Sequence, residues 1–352
     1  MSTPMTTLRP RVEAKPYSKG PSFAGIDLWL DANEGAPILT DAEIGAAAAR
    51  ACVRRYPDAS ALERDIAERL GVSPERVVVT AGGDEAIDRV CRGFVGAGDE
   101  AVMATPTFEM IGRYVRAAGG VVRGVRWDGP EYPVGAVVGE VTDRTALVAA
   151  VSPNNPTGGV VRAGDVVALS HAAPRAVLLV DLAYTEFADE DLTPLALELP
   201  NAVIVRTFSK AYGLAGLRVG YAVASEEIAG VLRAAAGPYA VSAASVEVAR
   251  AALEIGSTRL AGNVARVREE RRELRELLTA RGAQVIASQG NFVLARGVDA
   301  ERVWSELGRA GIAVRKFASE ELKGCLRIGC PGDERSFARV KREIARIMEC
   351  GA

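Results

Sequence analysis

The sequence predicts an α/β protein, with a large domain around a mainly parallel sheet and a smaller α+β domain after it. Three observations carry this. Short, nearly continuous apolar runs recur between helix-length segments, at 77–79, 101–103, 121–127, 146–151, 176–180, 202–205 and 219–223. Strands buried on both faces of a parallel sheet read this way. From about Ala243 the texture changes to a long charged helix with Leu260, Val264, Val267, Leu274 and Leu278 on one stripe. The 352 residues also exceed what one core usually organises, so two domains are expected, with a boundary near 240.

Taken in order, residues 1–35 read as irregular or extended and end in Leu30-Asp31-Ala32-Asn33-Glu34-Gly35. Thr40 with Glu43, and Ser60 with Glu63, form two capping-box patterns that each open a helix. The second helix stops at Gly71. The seven apolar runs follow. Along the long helix, the charges from Arg266 to Glu273 alternate in sign, which marks a solvated face and not a nucleic-acid surface. Beyond it, 284–286, 291–294, 312–314 and 325–328 read as strands with a helix among them.

The formal charge of −2, with 49% apolar and 25% charged residues, gives no bulk electrostatic case for nucleic acid or an anionic membrane. Only one histidine is present, His171, so multi-His metal sites are excluded, as are His-dependent triads unless His171 serves. It reads as structural. Proton transfer then falls to Lys, Asp, Glu, Tyr or water. The five cysteines show no CxxC spacing and read as free thiols of a cytoplasmic protein. No signal peptide and no membrane span are expected.

Four motifs sit where strands end. Arg206-Thr207-Phe208-Ser209-Lys210 leads through a Gly-rich loop to Arg218. Hydroxyls and Arg suit a phosphate, and a Lys beside another cation becomes nucleophilic; a turn with a solvated Lys is the plainer alternative. Asp181 closes an apolar run, with Tyr184 three residues on. A carboxylate there can keep a heteroaromatic nitrogen protonated, or simply cap a helix. Ser152-Pro153-Asn154-Asn155-Pro156-Thr157-Gly158 holds amides in a rigid turn. Thr80-Ala81-Gly82-Gly83-Asp84-Glu85 presents N–H groups at a helix start, where an anion binds or where the acids merely complement the dipole. A reactive Lys, a carboxylate, a phenol, an amide and a phosphate cradle together suit pyridoxal phosphate.

In these motifs the sequence resembles the fold-type I pyridoxal-phosphate aminotransferases, and among them the histidinol-phosphate aminotransferase group. The resemblance also takes in Arg55-Tyr56-Pro57-Asp58, Pro238-Tyr239, Asn291-Phe292 and Leu326-Arg327-Ile328. It implies a large cofactor domain over 41–240 and a small domain over 241–352, joined by the N-terminal segment 1–40. It implies that Lys210 holds the cofactor aldehyde and shuttles the proton, and that Asp181 pairs with the ring nitrogen. Tyr184 and Asn155 would bond the ring oxygen. Gly83, Asp84, Thr207, Ser209 and Arg218 would hold the phosphate, and Phe108 would stack on the ring. Tyr56 would reach the phosphate in a neighbouring subunit, so the active unit would be a homodimer with shared sites. Arg327 would clamp the substrate anion, with Asn33, Tyr17 and Tyr239 also on the substrate side.

Three positions depart from the group's pattern. Phe108 stands where Tyr is usual, and Leu182 replaces an acid. Gly329-Cys330-Pro331-Gly332-Asp333 replaces a run of small residues. The resemblance implies transfer of an amino group from a donor to a 2-oxo acid, with L-histidinol phosphate and 2-oxoglutarate as the first pair. An aromatic amino acid donor is the alternative. A same-fold enzyme of another reaction also stays open, such as a threonine-phosphate decarboxylase or a natural-product enzyme. So does a non-catalytic regulatory domain.

Overall fold

The computed structural model describes residues 23–349. The chain enters through the short strand β1 (Leu28–Trp29). The large domain contributes β2 (Val77–Thr80), β3 (Glu100–Thr105), β4 (Val121–Arg126), β5 (Thr145–Val151), β6 (Val177–Asp181), β7 (Ala202–Thr207) and β8 (Gly220–Val223). The C-terminal part adds β9 (Gln284–Val285), β10 (Phe292–Arg296), β11 (Ile312–Ala313), β12 (Arg315–Lys316) and β13 (Leu326–Gly329).

The large sheet runs in the order β2-β8-β7-β6-β5-β3-β4. Every neighbouring pair is parallel except the two made by β8. Alternate residues enter opposite cores: Leu178, Val180, Ala202 and Ile204 pack on one face, and Val177, Leu179, Val203 and Val205 on the other. Both faces are covered, which is why these strands read as unbroken apolar runs. The run at 121–127 is the exception. It forms β4, an edge strand with no fully buried residue. Its Arg123 and Arg126 place charge on the open edge, a usual guard against strand addition.

Of the two expected capping boxes, Thr40 with Glu43 forms with both hydrogen bonds. The other does not form: the N-cap is Ala59, and Ser60 N–H donates to Asp58 Oδ1 at 2.9 Å. Glu63 instead accepts from Val79 N–H at 3.1 Å. Strand β2 is the other edge of the sheet, so its outward N–H needs a side-chain acceptor, and that need outweighs the local cap.

One long helix, Ala243–Thr279, ties the molecule together. Val246, Ala249 and Leu253 pack into the core of the large sheet, whereas Leu274 and Leu278 pack into the small C-terminal core. The core therefore changes over inside this helix. The small part holds the antiparallel sheet β12-β13-β10-β9 and the helices Ala300–Arg309 and Glu334–Glu349. Strand β1 pairs in parallel with β11, and Leu30 enters the same small core. Residues 30–37 then cross back to the large domain. No helix among the described residues is long and apolar enough to cross a membrane.

Candidate active site

Three adjacent strands, β5, β6 and β7, end side by side, with Asp181 opposite both Val151 and Val205. Ligands of open α/β sheets gather at such carboxyl ends. A chamber of about 550 Å³ opens there, lined by Lys210, Asp181, Tyr184, Asn155, Gly83, Asp84, Thr207, Ser209, Phe108, Arg218 and Arg327. Residues from four separate motifs thus meet in one place.

Strand β7 ends at Thr207, whose Oγ1 accepts from Ser209 N–H at 3.1 Å and donates to Ser209 Oγ at 2.9 Å. This hydroxyl turn, with a hydrogen bond from Gly213 N–H to the Lys210 carbonyl, fixes the lysine's backbone. Lys210 Nζ donates to the Ala32 carbonyl at 2.9 Å and lies over the Tyr184 ring, 5.7 Å from its centroid. Burial lowers this amine to about 8, with the Arg327 charge adding to the shift. Gly35 makes the approach possible: a Cβ there would stand 1.7 Å from the Lys210 carbonyl oxygen.

The Asp181 carboxyl is buried at the end of β6 and accepts from Ala183 N–H at 3.1 Å. Burial raises it to about 6. Tyr184 is buried too, and burial pushes its phenol up to about 12, so it stays protonated. Its oxygen accepts from Asn33 Nδ2 at 3.0 Å, which leaves its own O–H to donate. Asn155 Oδ1 accepts from Arg327 Nη1 at 2.6 Å, so the Asn155 amide is likewise left with N–H groups to give. The second Arg327 nitrogen, Nη2, donates to the Asp31 carbonyl at 2.6 Å.

At the other end, the helix Gly82–Phe94 starts at the chamber. A helix start of this kind can hold an anion. Arg218, in the left-handed region at φ 52, brings its guanidinium over this start and bonds Asp84 Oδ2 at 3.1 Å. Gly82 lies at φ 80, where a side chain is strained, and a Cβ there would stand 2.6 Å from Arg218 Nη2 and push that guanidinium aside. Thr207, Ser209, Arg218 and the helix start fit a phosphate; Asp181 and Lys210, in the same chamber, fit a protonated heteroaromatic ring and its aldehyde.

Not every residue named from the sequence is brought here. Tyr56 and Tyr239 lie outside the chamber lining and stack on each other, 4.4 Å between centroids and 11° between planes. Tyr56 is 78% exposed and Tyr239 57%. Tyr17 lies outside the described residues. His171 is exposed near the end of the helix Ala163–Ala172, away from the chamber lining. The sequence reading missed the Ala32 carbonyl, because a main-chain acceptor leaves no residue signature. It also missed Tyr114 and Met110 in the lining, which sit on the helix Glu109–Ala118 that Phe108 caps.

A family model described as aminotransferase class I and II matches residues 31–342. The chain belongs to this family. It is similar to the histidinol-phosphate aminotransferase of Paracoccus denitrificans, 35% identical over 99% of this chain and 98% of the relative. It is also similar to the aromatic amino acid aminotransferase of Streptomyces coelicolor, 34% identical over 99% of this chain and all of the relative. Among solved structures, the Sinorhizobium meliloti histidinol-phosphate aminotransferase in complex with pyridoxal-5'-phosphate superposes with a TM-score of 0.84 at 26% identity. That match covers 93% of this chain and 92% of the other. The mainly parallel large sheet is the architecture of the family's fold.

Proposed function

We propose that this aminotransferase uses pyridoxal phosphate and moves an amino group from L-histidinol phosphate to 2-oxoglutarate. The observation that carries the reading is one chamber holding an amine lowered to about 8, a buried carboxyl and a phosphate-sized cradle at three strand ends. When bound, pyridoxal phosphate supplies an aldehyde and a ring that takes up an electron pair. Lys210 Nζ offers the nucleophilic nitrogen. Its Nζ would also be placed to take a proton from the donor carbon and return it. Asp181, buried at the end of β6, would accept from a ring N–H and keep that nitrogen protonated. Tyr184 and Asn155, each with a proton left to donate, orient the ring oxygen. Phe108 offers a face for stacking. Arg327 meets the donor's phosphate and the acceptor's carboxylate in turn, since histidinol phosphate has no carboxylate.

An aromatic amino acid donor is the second reading, favoured by the Streptomyces coelicolor relative. The exposed Tyr56–Tyr239 stack supports a homodimer in which Tyr56 serves the partner's phosphate cradle. The free thiols of Cys52, Cys91, Cys325 and Cys330 suit a cytoplasmic enzyme. Borohydride reduction of the holoenzyme and peptide mapping should place the pyridoxyl group on Lys210; a label on another lysine refutes the assignment. Turnover of histidinol phosphate and of tyrosine with 2-oxoglutarate decides between the donors.

A further inference from the structure

Tyr114 lines the same chamber as Gly83, Asp84 and Arg218 but comes from a different element. It sits on the helix Glu109–Ala118, which packs against the helix Gly82–Phe94, whose start belongs to the phosphate cradle. One helix follows β3 and the other β2. Strand β2 runs the same way as β7, since each is antiparallel to β8, so both helices begin at the sheet edge where the chamber opens. Helix side chains lean towards their own N-terminus. Tyr114, in the second turn, therefore leans past Met110 towards that edge, and Met110 lines the chamber too. The Tyr114 ring packs against the buried cluster that holds Ile87, Val90 and Ile111, which fixes the ring without using its hydroxyl. That hydroxyl has no hydrogen-bond partner among the described residues. Burial raises the phenol to about 12, and the Asp84 charge adds more than that of Asp88. The hydroxyl thus keeps its proton and lies towards the first turn of the helix Gly82–Phe94.

We propose that Tyr114 is a further cofactor-binding residue, its O–H donating to the phosphate of pyridoxal phosphate from the Glu109–Ala118 side of the cradle. This rests on the pyridoxal-phosphate reading and adds a donor to it. The cradle has use for one. Arg218 gives Nη2 to Asp84 at 3.1 Å, so part of its charge is already matched, and the Asp84 carboxylate repels a phosphate. Thr207 gives its hydroxyl proton to Ser209 Oγ at 2.9 Å, which leaves Ser209 to donate onward. A phosphate's oxygens accept several hydrogen bonds, and a neutral O–H supplies one without a further charge to desolvate. Phe108, the N-cap of the same helix, has no hydroxyl to give. The two rings divide the work: Phe108 offers a face to the cofactor ring, and Tyr114 offers a proton to its phosphate.

The test reads cofactor capture and not turnover. Full-length wild type and Tyr114→Phe, stripped of cofactor, are titrated with pyridoxal phosphate and with pyridoxal. Pyridoxal has the same ring and aldehyde but no phosphate, so the difference between the two ligands isolates the cradle. Kd is read from the absorbance of the bound chromophore. Tyr114→Phe keeps the ring in its packing, so thermal melts of the two stripped proteins should coincide. The variant should bind pyridoxal phosphate about tenfold more weakly, the scale of one charge-assisted hydrogen bond, and pyridoxal equally well. An equal loss for both ligands would assign Tyr114 to packing and overturn the proposal, as would no loss for either. In both cases wild type still prefers pyridoxal phosphate, and the cofactor reading stands. Wild type that binds neither ligand, or both alike, refutes the cofactor reading itself, and the role of Tyr114 falls with it.

Discussion

Replacing Asp181 by Asn should separate stability from turnover. In the cofactor-free protein, burial raises the Asp181 carboxyl from 3.8 to about 6; the Ala183 N–H and the Lys210 charge pull it back, and the Asp84 charge adds to the rise. The folded protein then keeps a proton that the unfolded chain releases between about pH 4 and pH 6. This contribution to stability is full below pH 4 and is lost as pH rises through about 6. A rise of about two units corresponds to roughly 3 kcal/mol. An Asn has no charge to bury and keeps an acceptor for Ala183 N–H. Denaturant melts of the cofactor-free proteins should show Asp181→Asn more stable than wild type at pH 7.5, with the gap closing towards pH 4. Turnover of the loaded variant should fall about 10²–10³-fold, the scale for one lost preorganised electrostatic partner. Equal stability at both pH values would refute the burial argument, and near-normal turnover would refute the role at the ring nitrogen.

Gly35→Ala drives a Cβ against the Lys210 carbonyl oxygen; that oxygen is backbone and a Cβ is fixed by its own backbone, so neither can rotate away. It should cost about 1–3 kcal/mol in denaturant melts and roughly 10²-fold in kcat through displacement of Lys210. Gly45→Ala, with nothing within 4 Å of the added Cβ, should be neutral or stabilising, and a matching loss in both variants would count against the contact. Arg327→Lys cannot reach Asn155 Oδ1 and the Asp31 carbonyl together. It should raise KM for donor and acceptor and lower kcat/KM about ten- to a hundredfold, and unchanged kinetics would make Arg327 structural. The rate at which the cofactor-free enzyme captures pyridoxal phosphate should rise through about pH 8 as Lys210 loses its proton; a flat rate from pH 7 to 9 would contradict the lowered amine. Mixed dimers of Lys210→Ala and Tyr56→Phe chains should regain activity, because one site carries both lesions and the other neither. If mixed dimers form and stay inactive, the sites are not shared.

The sequence by itself determined the sheet and the chemistry at its edge. Strands buried on both faces must be apolar at every position, so β5, β6 and β7 stood out locally, and polar residues directly after them marked Asp181, Asn155 and the Thr207–Lys210 turn. Edge strands obey other rules, so β4 read like a central strand and Glu63 like a cap until the sheet order showed which N–H groups lacked a partner. The tertiary structure alone decided what lies over Lys210. Ala32 reaches its Nζ from 178 positions away, and Gly35 matters only because the strap it belongs to presses on the lysine's own backbone. Periodicity records whether a residue meets water or core. Which distant groups share a cavity depends on how whole elements pack, and no local pattern carries that information.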